Sequence, residues 1–130
     1  MMDYEKRGGL LASKHYWEAT ELRRSLNCNG CGTEGWKGAL VPDTIWGLDV
    51  NPACNIHDWD YAEGTTPDQK NAADFRFQKN MIALIRQSAK RSWTGWVLKI
   101  PREYRAFTYY VAVSESDASV NAFKDAELVP

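Results

Sequence analysis

The stretch Asn51–Gly64, NPACNIHDWDYAEG, constrains the fold more than any other part of this chain. Asn51 is a favourable N-cap and Pro52 suits the first helical position, so a helix should begin here. Gly64 is a suitable residue for the end of the helix. The sequence therefore predicts one helix that carries a histidine and several carboxylates.

One side of this helix mixes polar and apolar residues. At 3.6 residues per turn the shared face comprises Cys54, His57 or Asp58, and Tyr61, with Ile56 and Trp59 more to the sides. We expect this face to turn inward. Because an unpaired buried polar group costs roughly 1–3 kcal/mol, His57 and its polar neighbours need partners elsewhere in the chain.

A second long helix should follow directly. Thr66-Pro67-Asp68-Gln69 has the pattern of a capping box with proline at the first helical position, and the helix should run to about Arg91. Its predicted inner face comprises Ala73, Phe77, Met81, Leu84, Ile85 and Ser88. Asp74 lies on the same face, and an aspartate is rarely buried without a partner. The short link after Gly64 predicts that the two helices are antiparallel neighbours.

The segments on either side of these two helices have their own patterns. Ser13–Leu26 predicts a first helix, and Asn27–Val50 predicts an irregular, glycine-rich loop in which a short hairpin is an alternative. Glycines let a backbone turn its carbonyls toward a hard cation such as Ca2+. Ser92–Ile100 interrupts the helical pattern, and Pro101 should open a third long helix. Its apolar stripe comprises Tyr104, Phe107, Thr108 and Val111, with Tyr109 and Tyr110 beside it.

Length and charge predict a single domain with two electrostatically different parts. With 130 residues, 44% of them hydrophobic, the chain can form one domain over residues 1–130, and we expect residues 1–9 and 124–130 to be flexible. Residues 27–74 carry eight acids against two lysines, which suits a cation, whereas residues 86–105 carry six bases against Glu103, which suits an anionic surface. No run approaches the ~18 apolar residues of a membrane-spanning helix.

Three parts of the chain, in order, share the motifs of one family. Ala53–Tyr61, ACNIHDWDY, is similar to a catalytic helix that reads A-C-x-x-H-D-aromatic-x-Y. Asn29–Gly32 looks like the start of a calcium loop, and Asp74-x-x-Phe77-x-x-x-Met81 looks like a second catalytic helix. Together they resemble the phospholipase A2 superfamily, and most closely its bacterial and fungal branch. The resemblance implies a mostly α fold, with two antiparallel long helices that carry the site, a calcium-binding loop and a third helix.

The resemblance also implies a role for each matching residue. His57 would be the general base, Asp74 would accept the other ring N–H of His57, and Tyr61 would hydrogen-bond Asp74, with Tyr109 or Tyr110 as a second donor. Calcium would be held by Asp58 and by the backbone carbonyls of Gly30, Gly32 and Glu34.

The implied reaction is calcium-dependent hydrolysis of the sn-2 ester of glycerophospholipids. It would release a fatty acid and a lysophospholipid at a membrane or micelle surface, and nucleic acid would not be a partner. The family's bridge from loop to catalytic helix would join Cys31 to Cys54, and Cys28 would have no matching partner.

Two alternatives stay open at this point. Cys28-x-x-Cys31 followed by Cys54-x-x-His57 has the spacing of a Cys3His zinc site, which would make the protein a zinc-stabilised binding module. That arrangement leaves Asp58 and Asp74 without a role. The other alternative is a catalytically inactive relic that binds calcium or lipid.

Two features bear on the setting of the protein. Trp36, Trp46, Trp93 and Trp96 lie in loop-like segments, where tryptophan suits a membrane interface. The first ten residues lack the apolar core of a secretory signal. We therefore expect synthesis in the cytoplasm, followed by an intracellular role, release by lysis or transport in a phage particle.

Overall fold

The computed structural model describes residues 3–28, 44–115 and 117–128. Within these ranges the protein is mostly helical, which confirms the coarse fold class, and two small two-stranded sheets accompany the helices. None of the described helices is long and apolar enough to cross a membrane.

A β-hairpin that the sequence did not predict forms the N-terminal part. Strands β1 (Tyr4–Arg7) and β2 (Leu10–Ser13) pair antiparallel, with Tyr4 opposite Ser13. The turn between them uses Gly8 and Gly9, whose φ values of 58° and 82° suit glycine. The side chain of Asn80 accepts from the Leu11 N–H and donates to the Leu11 carbonyl, which fixes the hairpin to a long helix.

The predicted first helix is divided into two. Helix α1 covers Lys14–Glu18 and helix α2 covers Glu21–Asn27. Ala19 and Thr20 between them are extended, and the Thr20 hydroxyl accepts from the Arg23 N–H as the N-cap of α2. A single helix over Ser13–Leu26 was therefore wrong, because two local N-caps each begin a short helix.

The helix that carries His57 has the predicted extent but a different cap. Strands β3 (Thr44–Ile45) and β4 (Leu48–Asp49) form a second hairpin, and helix α3 (Asn51–Glu63) follows. Val50 rather than Asn51 is its N-cap, and Asp49 accepts from the Asn51 N–H instead. Gly64 ends the helix as predicted.

Helix α4 (Pro67–Arg91) confirms the second predicted helix, including its capping box. The Thr66 hydroxyl accepts from the Gln69 N–H, while the Gln69 side chain accepts from the Thr66 N–H. Helix α3 contacts α4 with Tyr61 near Asp74 and His57 near Phe77, so the two helices run antiparallel.

Three helices complete the described chain: α5 (Trp93–Val97), α6 (Lys99–Glu115) and α7 (Asp117–Asp125). Helix α6 begins two residues before Pro101, and its buried residues are Arg102, Ala106, Tyr109 and Val113. The predicted stripe of Tyr104 and Phe107 faces away from the core, since these side chains are 69% and 52% exposed. Helix α7 continues to Asp125, so it includes the first two of the residues 124–130, and its Phe123 packs against Tyr61.

The main core lies between α3, α4 and α6. Phe77, Met81 and Ile85 of α4 meet Cys54 of α3 and Val113 of α6, and all of them are buried. Buried residues surround α3 on almost every side, including Ile56 and Trp59, which the helical period placed more to the sides. The polar residues of α3 therefore lie in the interior of the protein.

Candidate active site

The centre of the site is a buried pair between the two long helices. His57 Nε2 and Asp74 Oδ1 lie 2.8 Å apart, and both residues have 0% relative exposure. The imidazole also stacks on the Phe77 ring, with centroids 4.6 Å apart and planes inclined by 21°. A carboxylate on Nε2 selects the tautomer with hydrogen on that nitrogen, which leaves a lone pair on Nδ1.

Two further side chains donate to the same carboxylate. The Tyr61 hydroxyl donates to Asp74 Oδ1 at 2.5 Å, and Lys70 Nζ donates to Asp74 Oδ2 at 2.7 Å. Tyr61 lies one helical turn after His57, and Lys70 one turn before Asp74, so the two helical periods bring all four residues together. The structure thus joins the three residues predicted as the catalytic set, His57, Asp74 and Tyr61.

Lys70 takes the place expected for a second tyrosine donor. Among the described residues, neither Tyr109 nor Tyr110 bonds Asp74: Tyr109 belongs to the main core, and Tyr110 lies edge-on to Phe75. Lys70 also donates to the Val113 carbonyl at 3.2 Å, and the Ser119 hydroxyl donates to the same oxygen. The start of α7 and the end of α6 therefore close this side of the site.

The charges of the site favour an ionised Asp74. Burial alone would raise the pKa of Asp74, but the hydrogen bonds from His57, Lys70 and Tyr61 and the charge of His57 outweigh it, so the pKa is lowered. Burial and the neighbouring Asp74 carboxylate raise the pKa of Tyr61, which keeps its hydroxyl a donor. Asp74 can therefore act as a fixed anion beside the imidazole.

A second buried ion pair supports the helix pair next to the site. Asp60 Oδ2 and Arg76 Nε lie 2.9 Å apart, and Arg76 also donates to the Tyr4 hydroxyl at 3.1 Å. Arg76 points away from Asp74 and pairs with Asp60 on another side of α3. Burial is the main cause that raises the pKa of Asp60 to about 7, against the opposing effect of Arg76.

The predicted metal ligands divide between described and undescribed parts of the chain. Asp58 follows His57 on α3 and is half-buried. Gly30, Gly32 and Glu34 lie outside the described residues. Within the described residues no three His, Cys, Asp or Glu side chains converge as a metal site.

The cysteines bear on the zinc alternative. Cys54 is disulfide-bonded and Cys28 is a thiol, while Cys31 lies outside the described residues. A cysteine in a disulfide has no thiolate to offer a metal, and this argues against a Cys3His zinc site that uses Cys54.

Lys70 is the participant that the sequence analysis missed. Its spacing of four residues from Asp74 is the spacing of an i,i+4 ion pair, and the two side chains are almost completely buried. Because Asp74 had been placed on the inner face of its helix, a lysine one turn away was the available signal.

Comparisons with models of protein families, with curated proteins and with solved structures find no match to this chain.

Proposed function

We propose that this protein is a phospholipase A2, which hydrolyses the sn-2 ester of glycerophospholipids with the help of calcium. The observation that carries the proposal is the buried His57–Asp74 hydrogen bond, with Tyr61 and Lys70 on the same carboxylate. A structural histidine needs only one hydrogen-bond partner. Here His57, Tyr61 and Lys70 all donate to Asp74, and the carboxylate fixed in this way holds His57 in the tautomer with hydrogen on Nε2. The sequence motifs around these residues, which resemble that superfamily, give the substrate class.

The chain's own residues can move a proton in two directions. His57 Nδ1 would take a proton from water as the water oxygen bonds to the ester carbonyl carbon, and Asp74 would stabilise the imidazolium that forms. When the tetrahedral species collapses, Nδ1 would return the proton to the departing glycerol oxygen. The products are a fatty acid and a lysophospholipid, and His57 is neutral again. Because His57 is fully buried, the segments around the ring must move apart before an ester can reach it.

Calcium fits the donor chemistry near His57. Asp58 offers a hard carboxylate, and the backbone carbonyls of Gly30, Gly32 and Glu34 would complete a set of oxygen ligands, as the family's loop implies. Bound there, the ion would supply a Lewis acid that polarises the ester carbonyl. Asp58 would then bind the ion, and His57 would transfer the proton.

The deciding experiment is hydrolysis of phospholipids with distinguishable acyl chains, analysed for which chain is released. Replacing His57 with Gln should lower turnover at least ~100-fold, the low end for loss of a general base, while far-UV circular dichroism stays unchanged. The matched control is His15→Gln, which changes an exposed histidine that pairs with Glu63 at 2.8 Å. Its turnover should equal that of the wild type.

Calcium dependence gives the second arm of the same experiment. Chelation with EGTA should abolish release of the sn-2 chain, and Asp58→Asn should raise the calcium concentration needed for half-maximal activity. Full turnover by the folded His57→Gln variant, or release of fatty acid in EGTA, would contradict the proposal.

A further inference from the structure

Helices α5 and α6 expose a continuous row of large apolar side chains. Trp93 is 76% exposed, Trp96 67%, Ile100 78%, Tyr104 69% and Phe107 52%. Their intervals of three or four residues are those of one helix face. The hydrogen bonds from Leu98 N–H to the Thr94 carbonyl and from Arg102 N–H to the Leu98 carbonyl continue the helical pattern across the junction. We call these five residues the aromatic stripe.

The core side of the two helices is fixed, so the stripe cannot turn inward. Gly95 is buried against α4, where an added Cβ would collide with the Ser88 carbonyl. Arg102 lies opposite the stripe and donates to the carbonyls of Ile45 and Trp46 at 3.2 and 2.8 Å. These contacts leave the aromatic stripe without cover from the described part of the chain.

Basic residues accompany the stripe. Lys90 and Arg91 directly precede it, and Lys99 and Arg105 lie on α6 beside it. The one acid between residues 90 and 107 is Glu103, which pairs with Arg86 at 3.3 Å. An apolar row with Trp and Tyr that is flanked by positive charge complements an anionic lipid surface, in which aromatic rings lie at the headgroup level.

A second copy of this chain is a poorer occupant. A two-fold interface through the stripe would bring the same patch of both subunits together. The basic residues along the stripe would then face basic residues of the other copy, and like charges across an interface oppose association. These residues are Lys90, Arg91, Lys99 and Arg105. A membrane with anionic headgroups has the opposite charge and no such conflict.

We propose that the aromatic stripe is the membrane-docking face of this protein and binds anionic phospholipid surfaces. Trp93, Trp96 and Ile100 insert among the headgroups, while the flanking lysines and arginines contact the anionic ones. The inference deepens the proposed function, on which it rests only for the identity of the lipid as substrate.

The test uses vesicles of ether-linked phospholipids, which contain no ester to hydrolyse. Wild-type protein should bind vesicles of mixed phosphatidylcholine and phosphatidylglycerol, with a blue shift of tryptophan fluorescence, and bind phosphatidylcholine alone more weakly. The triple variant Trp93→Ser/Trp96→Ser/Ile100→Ser should lose at least ~10-fold in affinity, since most of the inserted apolar surface is gone. Lys99→Gln and Arg105→Gln should each weaken binding to the anionic vesicles by about fivefold.

The matched control is Leu22→Ser/Leu26→Ser, which removes two leucines of α2 that are 69% and 53% exposed. It should bind vesicles as the wild type does. Absence of vesicle binding by the wild type, or undiminished binding by the triple variant, overturns the inference. So does a wild-type dimer that the triple variant converts to a monomer in sedimentation velocity.

The two proposals fail in different assays. Hydrolysis of short-chain phospholipid below its micelle concentration does not need a surface, so the triple variant should keep wild-type turnover there. If vesicles bind through the stripe and no ester is cleaved, the proposed enzymatic function is wrong and the docking face stands. If dissolved ester is cleaved and vesicles do not bind, the reverse holds.

Discussion

Asp74 accepts hydrogen bonds from side chains of two kinds. His57 and Lys70 can carry a positive charge, and Tyr61 adds a neutral donor. Lys70 places its ammonium group on Oδ2 of Asp74, the carboxylate oxygen that does not bond the imidazole. Protonation of His57 therefore takes place with one cation already beside Asp74, which opposes the second.

The effect of Lys70 can be tested through the pH dependence of hydrolysis. In Lys70→Met the opposing cation is gone, so the imidazolium of His57 becomes easier to form. The acid limb of the kcat/KM profile should move to higher pH, because the base is free only above that limb. The measurement is the pH profile of sn-2 hydrolysis on a dissolved short-chain substrate.

A matched lysine separates this effect from a loss of packing. Lys79→Met removes an exposed lysine of the same helix and should leave the acid limb in place. If Lys70 only supports the fold, its replacement lowers the melting temperature and the acid limb stays where it was. That result would mean that Lys70 does not influence the protonation of His57.

Asp60 gives a prediction about stability. Its pKa is about 7 in the folded protein against an ordinary value of 3.8, because burial opposes its charge. Between these values the folded state holds a proton that the unfolded state has lost, so the free energy of unfolding falls as pH rises. From pH ~4 to ~7 the ionisation of Asp60 lowers the free energy of unfolding by at most about 1.4 kcal/mol per pH unit. Asp60→Asn should remove this contribution.

Urea unfolding at several pH values provides the measurement. Asp74 contributes to the pH dependence of stability with the opposite sign, and only at pH values below its ordinary pKa of 3.8, because its pKa is lowered in the folded protein. Its contribution therefore does not overlap this pH window. Asp68→Asn changes an exposed acid of α4 and should leave the slope as in the wild type. An equal slope in the wild type and in Asp60→Asn would contradict the raised pKa.

Residue patterns could predict the contact between His57 and Asp74 but not every partner. Both residues lie on inner faces of their helices, and a short link makes those helices antiparallel, so the two helical periods predict that both side chains face the space between the helices. The pairing of His57 with Asp74 itself was implied by the family resemblance. An i,i+4 pair such as Lys70 and Asp74 has the same spacing whether it is exposed or buried. Asp60 and Arg76 were missed because α3 is buried on nearly all sides, and the helical period had assigned it one inner face.

At the scale of elements, local capping signals decided what could be predicted. The Thr66 capping box and Gly64 fixed the link between α3 and α4 because each acts through its nearest neighbours. Helix α6 was harder, since aromatic residues at helical spacing usually indicate a core face. Its core face instead includes Arg102, whose guanidinium satisfies two carbonyls of the β3–β4 hairpin. A contact between residues so far apart in the sequence leaves no local pattern.

The whole molecule depends on α3 being held from several directions. Tyr61 and His57 bond α4, Asp60 bonds Arg76, and Trp59 packs on Tyr16 of the N-terminal segment, with ring centroids 5.7 Å apart. The disulfide of Cys54 adds a covalent constraint near the start of the helix. Most of these contacts are independent of that bond, so the packing of α3 should persist without it.

We therefore predict that reduction loosens the protein without unfolding it. If the bridge joins Cys54 to Cys31, as the family resemblance implies, it closes a loop with 22 intervening residues and stabilises by roughly 3 kcal/mol on the chain-entropy model. Reductant should then lower the melting temperature by about 10 °C, since domains of this size shift a few degrees per kcal/mol. Circular dichroism should keep its helical signal at room temperature, and calcium affinity should fall. Cys28→Ser, which changes a thiol, should melt as the wild type does with and without reductant. Loss of the helical signal on reduction would mean that the disulfide, and not the contacts of His57, Asp60 and Tyr61, holds α3 against α4.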